Sequence, residues 1–398
     1  MKTNWQTKKL SEVFIIRPPK HEAKEKLTRE DLVSFVPMED LNVDKKEFVS
    51  IQFKPLGKVF GGYTYFANND VLLAKITPCF ENGKLGIARN LKNGVGFGSS
   101  EFVVFKSNGE VVSDYLYYLL LTDSFRNEGS KIMTGASGHK RVPKDYIENY
   151  LISFPISLSE QKRIVKILDE VFENIGKTKE NAEKNLQNSN ELFESYLNDI
   201  FANEKWKFVS IAEKCQTGAG GTPLKSHKEY YEGGNIPWIR SGEVNKKEIT
   251  KSKMFITKIG MDNSSARLFP PNTVLVAMYG ATAGQVGILK FESTTNQAVC
   301  GILPSEYFLP EFIYYVLLSK KRELVLQAVG GAQPNISQIK VRNTSLPDIN
   351  INKQKEIVKK LDELSKQTKK LQENYKQKLL LLDELKKSVL AKAFAGEL

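Results

Sequence analysis

The chain contains a long-range internal repeat, and this repeat limits its possible folds more than any other feature. Residues 161–170, QKRIVKILDE, reappear as residues 354–363, QKEIVKKLDE, at an offset of 193 positions. Identities continue in the same register, without a gap, to the Phe-Ala pairs at 201–202 and 394–395. The segments before the two copies match only loosely, and their offset drifts between about 196 and 203. The sequence therefore predicts two divergent globules, each followed by a preserved segment.

The preserved segments are predicted to be long helices. Residues 159–203 contain no proline and one glycine, Gly176, and residues 352–395 contain neither. Apolar residues recur at steps of four and three, which is a heptad seam with one stutter. The predicted seam residues are Ile164, Leu168, Val171, Ile175, Leu186, Ile357, Leu361, Leu364, Leu371, Leu379 and Leu382. Gly396 is the expected C-terminal cap of the second helix.

The length of these helices favours pairing with each other. A helix of about 42 residues is about 63 Å long at 1.5 Å per residue. The alternative is an amphipathic helix that packs only on its own globule, but a domain of about 150 residues is too small for that length. Two equal helices in one chain most simply pair, and pairing about a pseudo-two-fold axis makes them antiparallel.

The globules are predicted to be mixed α/β domains. Short apolar runs with β-type composition occupy residues 71–76, 101–105 and 273–278, and residues 114–122 and 310–319 have the pattern of short helices. A polar loop with glycines comes late in each globule, at residues 134–141 and 330–338. Such loops are candidates for contact with a ligand because backbone and side chains are both exposed there.

Composition agrees with a protein that binds a polyanion. The formal net charge is +12, from 58 basic and 46 acidic residues, which suits nucleic acid as a partner. The N-terminus is polar and basic, which does not fit the pattern of a signal peptide. No apolar run approaches the roughly 18–20 residues of a membrane span. The three cysteines, at 79, 215 and 300, are far apart, which predicts reduced thiols in the cytoplasm.

Several segments resemble the specificity subunit of type I restriction–modification systems. FPISLSEQKRIVKILDEVF (154–172) resembles the start of the family's central conserved helix, and LKKSVLAKAFAGEL (385–398) resembles its C-terminal signature. AKITPCFENGKLGIA (74–88) and GFGSSEFVVF (96–105) are similar to one target-recognition subtype. Residues 217–244, 279–288 and 295–304 are similar to another. Ser157, Asp348-Ile349 and Pro334 depart from the family pattern, and these departures affect local loop shape.

The resemblance implies an α+β fold with two mixed α/β target-recognition domains joined by two long antiparallel helices. These helices would form an intramolecular coiled coil with pseudo-two-fold symmetry. The expected division is a first target-recognition domain at 1–155, a central helix at 156–203, a second recognition domain at 204–348 and a C-terminal helix at 349–398.

The same resemblance implies a function without catalysis on this chain. Each globule is expected to read one half of a bipartite DNA site, and the coiled coil is expected to set the gap. Two methyltransferase subunits would dock on this frame, and restriction subunits could join them in host defence. S-adenosylmethionine and ATP are expected on those partners, so no cofactor and no metal is expected here.

The candidate DNA contacts combine basic, amide and hydroxyl side chains, the groups that bind phosphates and base edges. In the first globule they are Lys75, Thr77, His139, Lys140 and Arg141. In the second they are Arg240, Tyr279, Thr282, Gln333, Asn335, Gln338 and Lys340. For any one of these residues, a solvated loop position or a turn is the alternative interpretation. The charged stretch from Lys20 to Lys26 is expected to be solvated only.

The sequence offers little support for an enzyme. No P-loop pattern is present, and the three histidines lack metal-ligand spacing with the cysteines. A self-contained methyltransferase or nuclease would need a cofactor fold of about 200 further residues, on the usual domain size. Three alternatives stay open: a subunit of a methylation-only system, a type IIB-like system, and a coiled-coil adaptor whose domains read no DNA.

Overall fold

The chain forms two compact units. The computed structural model describes residues 4–43, 45–48, 52–202, 205–326 and 335–398. The first unit consists of residues 1–183 and 377–398, and the second of residues 184–376. Each unit therefore combines one globule with parts of both long helices. This grouping follows packing, whereas the four-segment division at 155, 203 and 348 follows chain order and stays a prediction.

The first unit contains eleven strands in the part of the chain that is described. They are β1 (Trp5–Lys9), β2 (Phe14–Ile16), β3 (Leu32–Val36), β4 (Glu47–Phe48), β5 (Gln52–Pro55), β6 (Thr64–Ala67), β7 (Val71–Ala74), β8 (Leu85–Ala88), β9 (Val95–Gly98), β10 (Phe102–Ser107) and β11 (Leu151–Pro155). Its helices are α1 (Leu10–Val13), α2 (His21–Lys24), α3 (Leu56–Val59), α4 (Ser113–Leu120), α5 (Asp123–Lys131), α6 (Lys144–Asn149) and the start of α7 (Leu158–Phe201).

The strands of the first unit form three sheets. A five-stranded sheet has the order β2-β10-β7-β8-β4, a four-stranded sheet has the order β5-β3-β9-β6, and β1 pairs with β11. The run Val71-Leu72-Leu73-Ala74 is apolar throughout because both faces of β7 are buried. Val71 and Leu73 belong to the core beneath α4, and Leu72 and Ala74 belong to the core on the opposite face.

The second unit repeats this arrangement. Its strands are β12 (Phe208–Ser210), β13 (Thr217–Ala219), β14 (Ile236–Ile239), β15 (Glu248–Ile249), β16 (Phe255–Ile256), β17 (Val274–Ala277), β18 (Val286–Leu289), β19 (Thr294–Thr295), β20 (Val299–Ile302) and β21 (Ser345–Pro347). Its helices are α8 (Ile211–Lys214), α9 (Lys258–Asp262), α10 (Pro310–Ser319), α11 (Lys321–Leu326), α12 (Gln338–Arg342) and the start of α13 (Ile351–Ala395).

The two globules have equivalent sheet topologies. The five-stranded sheet of the second unit has the order β13-β20-β17-β18-β15, which matches strand for strand the sheet of the first unit. The smaller sheet has the order β16-β14-β19, with β14 parallel to β19 as β3 is parallel to β9. Only the first unit adds a fourth strand, β6, among the residues described. The loosely matching segments thus share one architecture, and the prediction of mixed α/β globules is confirmed.

Helices α7 and α13 run antiparallel within each unit. In the first unit Leu390 and Ala393, near the end of α13, share a core with Ile164 and Leu168, near the start of α7. In the second unit Leu197 and Phe201, near the end of α7, share a core with Ile357 and Leu361, near the start of α13. The prediction of paired antiparallel helices is therefore confirmed in both units.

Most of the predicted seam faces inward. Ile164, Leu168, Ile175, Ile357 and Leu361 are buried, and five others are partly buried: Val171, Leu186, Leu364, Leu379 and Leu382.

Leu371 is the exception among the predicted seam residues. Its side chain is 42% exposed, while Gln372 is partly buried. Thr368 is buried one turn earlier. The next inward residue is Gln372, four positions after Thr368, whereas the predicted seam stepped three positions to Leu371. The prediction for Leu371 was wrong because a helix of 3.6 residues per turn drifts from a strict heptad, and the four-residue step falls here. The predicted cap is confirmed, since Gly396 has φ of 64° directly after α13.

Candidate nucleic-acid interface

The late loop of the first unit, residues 134–141, is exposed along its whole length. Two antiparallel bridges hold it, one between Thr134 and Arg141 and one between Ile76 and Arg141. The amide of Thr77 donates to the carbonyl of Lys140 at 2.9 Å, so the segment after β7 is fixed to the loop. The structure therefore brings together the five candidates of the first globule: Lys75, Thr77, His139, Lys140 and Arg141.

These five side chains divide into a group of three with partners inside the unit and a group of two that is exposed. Thr77 donates its hydroxyl to Glu81 at 2.8 Å. Arg141 donates to both carboxylate oxygens of Glu101, at 2.7 and 2.9 Å, and this hydrogen bonding lowers the pKa of Glu101. Lys75 donates to the carbonyl of Ser100 at 2.9 Å, and burial lowers its pKa. These contacts fix the shape of the loop.

The second group is exposed. Within the described residues, the side chains of His139 and Lys140 make no ion pair, and both are available to a ligand.

The late loop of the second unit is anchored in the same way. Asn335 forms a bridge with Tyr279, and the amide of Ile336 donates to the carbonyl of Met278 at 2.9 Å. Asn335 is exposed and Tyr279 is 39% exposed, and Thr282 donates to the carbonyl of Tyr279. Gln338 and Lys340 lie in the short helix α12 that follows. Gln333 lies outside the described residues.

Arg240 lies at a different place, directly after β14 of the three-stranded sheet. It lines a cavity of about 400 Å³ together with Thr222, Lys225, Tyr231, Trp238, Met254, Asn296 and Gln297. Trp238 is 4% exposed and donates its indole N–H to the carbonyl of Gly221 at 2.9 Å. Within the described residues, the buried Oδ1 of Asn296 has no hydrogen-bond partner. The cavity therefore offers cations beside an aromatic ring that is fixed by its hydrogen bond.

The first unit has a counterpart of this cavity. It measures about 370 Å³ and is lined by Arg17, Pro18, Pro19, Lys20, Gly62, Tyr63, Thr64, Tyr65, Lys75, Ser100 and Phe102. The first cavity lies between the loop after β2 and the segment before β10. The second lies between the loop after β13 and the segment before β20. Neither lining contains an acidic residue, which leaves each cavity electropositive.

Two of the three basic residues of the first cavity, Arg17 and Lys20, were not among the predicted DNA contacts, whereas Lys75 was. Lys20 was expected to be only solvated, but it lines the cavity and its amine contacts the carbonyl of Phe60 at 3.3 Å. Arg17 lies beside it, in the left-handed region with φ of 60°. Lys75 belongs both to this cavity and to the base of the exposed loop, so the two features form one continuous surface. The Arg-Pro-Pro-Lys run at 17–20 was the available signal.

No group of three or more His, Cys, Asp or Glu side chains capable of holding a metal is found in the described residues. The three cysteines are free thiols, and no helix within the described ranges is both long and apolar enough to span a membrane.

Comparison with known proteins decides the family. The family described as Type I restriction modification DNA specificity domain matches residues 2–186 and 203–381. The chain belongs to this family. The DNA specificity domain thus occurs twice, and each match covers one globule and much of the helix that follows it. The resemblance of the conserved helices and recognition segments to this family is confirmed.

Curated relatives align over parts of their length. The type I restriction enzyme EcoEI specificity subunit of Escherichia coli is 40% identical over 162 residues, which are 40% of this chain and 26% of the relative. The EcoR124I/EcoR124II specificity subunit of Escherichia coli is 27% identical over 222 residues, which are 54% of each protein. The chain therefore spans between about a quarter and about half of the length of these relatives.

Two solved structures share the fold over almost their whole length. A chain from a study of complex assembly and conformational transition of the type I R-M system has a TM-score of 0.82 and 18% identity, and the match covers 100% of this chain and 99% of that one. The HsdS subunit of Thermoanaerobacter tengcongensis has a TM-score of 0.69 and 19% identity, with 100% and 98% covered. At this identity the likeness supports the fold.

Proposed function

We propose that the chain is the DNA-reading specificity subunit of a type I restriction–modification enzyme. One observation carries the proposal: each of the two equivalent globules presents exposed polar residues next to the strand end after β7 or β17, and a cavity lined by basic residues and by no acidic one. Cations bind phosphates without regard to sequence, whereas amides and hydroxyls read base edges. Two globules with different loops on the same frame suit a site with two unlike halves.

In this proposal the chain reads DNA and leaves the chemistry to partners. Two methyltransferase subunits would dock on the frame, and restriction subunits would join them. S-adenosylmethionine and ATP would bind to those partners. We also propose that the chain is located in the cytoplasm, where it would have access to duplex DNA. Family membership and the relatives named as specificity subunits support this assignment.

Methylome sequencing tests the proposal in cells that carry the gene together with its methyltransferase partner. We expect one bipartite methylated sequence that disappears when the gene is deleted. Lys140→Ala should weaken methylation at all such sites, because this exposed loop cation is suited to contact DNA. Lys177→Ala is the matched control, since Lys177 is an exposed cation of α7 paired with Glu173 at 2.6 Å. Unchanged methylation after gene deletion would refute the proposal.

A binding assay separates the remaining alternatives. The purified chain assembled with methyltransferase subunits should bind its bipartite site, and the affinity should fall steeply with salt. Methyl transfer by the chain alone would identify a self-contained enzyme instead. Assembly with partners but no DNA preference would identify an adaptor.

A further inference from the structure

A cluster of charged and tyrosine side chains joins the first globule to helix α7. Lys46, which precedes β4, contacts Asp169 of α7 at 2.6 Å and Asp114 of α4 at 2.8 Å. Tyr118 of α4 donates to the same Asp169 oxygen at 2.5 Å. Burial, together with this hydrogen bond, raises the pKa of Tyr118, which keeps its hydroxyl protonated as a donor. We call Lys46, Tyr118 and Asp169 the first bridge.

The second unit contains the same cluster, made from residues far away in the sequence. Lys247, which precedes β15, contacts Asp362 of α13, and Tyr315 of α10 donates to the same Asp362 oxygen at 2.5 Å. Lys247 also lies 4.8 Å from the centre of the Tyr315 ring. We call Lys247, Tyr315 and Asp362 the second bridge. Burial and the bond to Asp362 likewise raise the pKa of Tyr315.

Neighbouring ion pairs are repeated as well. Arg89 contacts Glu47 and Asp114 in the first unit, and Lys290 contacts Glu248 and Glu311 at the equivalent places of the second. The residue types change from Arg to Lys and from Asp to Glu, but each charge keeps its sign and its partners. These contacts persist although the globules match only loosely in sequence.

Each bridge is a second polar attachment between globule and helix, beside their shared apolar core. The first polar attachment is the buried Gln161, which accepts from the amide of Val112 and donates to the carbonyls of Glu110 and Pro155. Asp169 lies eight residues farther along α7, which is about 12 Å at 1.5 Å per residue. Apolar packing is non-directional, whereas two sets of hydrogen bonds at this distance restrict how the globule can tilt on the helix.

The space beside the first bridge shows why such a contact is needed. A cleft of about 580 Å³ opens next to Lys46, Tyr118 and Asp169, between the globule and helix α7 of the same unit. The corresponding cleft beside Lys247 and Tyr315 measures about 190 Å³. Beside these clefts the contact is incomplete, and in the first unit the bridge and the packing of Phe172 on Tyr118 are what join the globule to α7 there.

We propose that the two bridges fix the angle at which each globule is presented to its half-site, so that they are positioning residues for the spacing between half-sites. This inference rests on the proposed function. Asp169 is 43% exposed, whereas Lys46 is 19% exposed and Tyr118 is buried, so solvent screens the pair only in part. The geometry is repeated in both units, and this repetition points to a shared positioning role. The bridge residues lie away from the exposed loops, so base identity should not depend on them.

The test uses the chain assembled with its methyltransferase subunits and a DNA library in which the gap between half-sites varies. Lys46→Met and Tyr118→Phe remove the two donors to Asp169 and keep the side-chain volumes similar. We expect discrimination between the native gap and gaps one base pair longer or shorter to fall about tenfold, which corresponds to about 1.4 kcal/mol. The preferred bases should not change. Lys247→Met should give the same result from the second unit.

Two controls separate positioning from a general structural effect. Lys46→Arg keeps a cation within reach of both carboxylates and should restore the native gap preference. Asp262→Asn breaks an exposed pair with Lys258 in α9, away from both bridges and their clefts, so it should leave the gap preference unchanged.

The outcomes distinguish this inference from the function on which it rests. If the Lys46→Met complex binds all gaps more weakly but keeps the native preference, the bridge is only structural and the inference is overturned. If the unaltered complex prefers no bipartite site, the proposed function fails and the inference fails with it.

Discussion

Replacing Gln161 by leucine should destabilise the first unit strongly. The side chain is fully buried and makes three hydrogen bonds to backbone groups: it accepts from Val112 at 3.0 Å and donates to Glu110 at 2.9 Å and Pro155 at 2.8 Å. Leucine satisfies none of these groups. The helix start would then lose its hydrogen bonds to α4 and to β11.

The magnitude follows from the number of backbone groups left without a partner. Each unsatisfied buried group costs about 1–3 kcal/mol, and the low end applies because the groups at Val112 and Glu110 are only partly buried. Three groups at about 1.5 kcal/mol each are offset by about 1.5 kcal/mol from the apolar surface of leucine. We expect a net loss of about 3 kcal/mol, a large part of the stability of a typical domain.

Urea unfolding of the full chain measures this loss. Gln187→Leu is the control, because Gln187 is an exposed residue of the same helix that bonds only to Glu191. Hydrogen exchange should localise the effect of Gln161→Leu to α4 and β11. In the second unit Gln354 makes the equivalent bonds to Leu309, Tyr307 and Ile349, so Gln354→Leu should destabilise that unit by a similar amount. A loss below about 1 kcal/mol for Gln161→Leu, within the range of ordinary surface substitutions, would refute the reasoning.

Three further predictions concern DNA reading and pH. Asn335→Ala should relax specificity at one base pair of the second half-site by about 1–3 kcal/mol, and a change in the first half-site on methylome sequencing would contradict it. Arg240→Ala should weaken binding across sequences and reduce the salt slope by about 1, as measured by gel shift at several salt concentrations; an unchanged slope would place Arg240 away from phosphates. Burial raises the pKa of Asp70 to about 7, so the folded state holds this proton more tightly than the unfolded state does. Stability should therefore fall as pH rises from about 4 to 7. Asp70→Asn should flatten that fall in urea titrations, and an unaltered pH profile would show that Asp70 ionises normally.

The long helices and large sheets were predictable because their signals are local or repeated. The register between Gln161 and Gln354 predicted two equal helices, and the helices Leu158–Phe201 and Ile351–Ala395 contain both copies. The apolar run at 71–76 predicted a short strand, and β7 occupies Val71–Ala74 of that run. The apolar run is local in the chain, and the helices combine a local hydrophobic period with a repeat in one register, so neither prediction needed a contact between unlike distant segments.

The interface was only partly predictable because its decisive contacts join distant residues. Arg141 stays a predicted DNA contact, and its pairing with Glu101, forty positions earlier in the chain, was not predicted. The sequence offers no periodic signal for such a pair. The basic cavity around Arg17 escaped notice for the same reason, since the loop after β2, the turn before β6 and the end of β7 meet only in the folded unit.

The separation between frame and loop explains how one architecture can serve two different targets. Gln161 and Gln354 make the same three kinds of hydrogen bond, and Asp169 and Asp362 accept from the same pair of side-chain types. The exposed loops that end at Arg141 and pass through Asn335 share almost no side chains. Because each loop is tied to its sheet by backbone bonds, its exposed side chains can change without disturbing the attachment to the helices. Under the proposed function, a change of target should then require substitutions in the loops and cavities alone, while the gap between half-sites depends on the paired helices and on the bridges that position the globules on them.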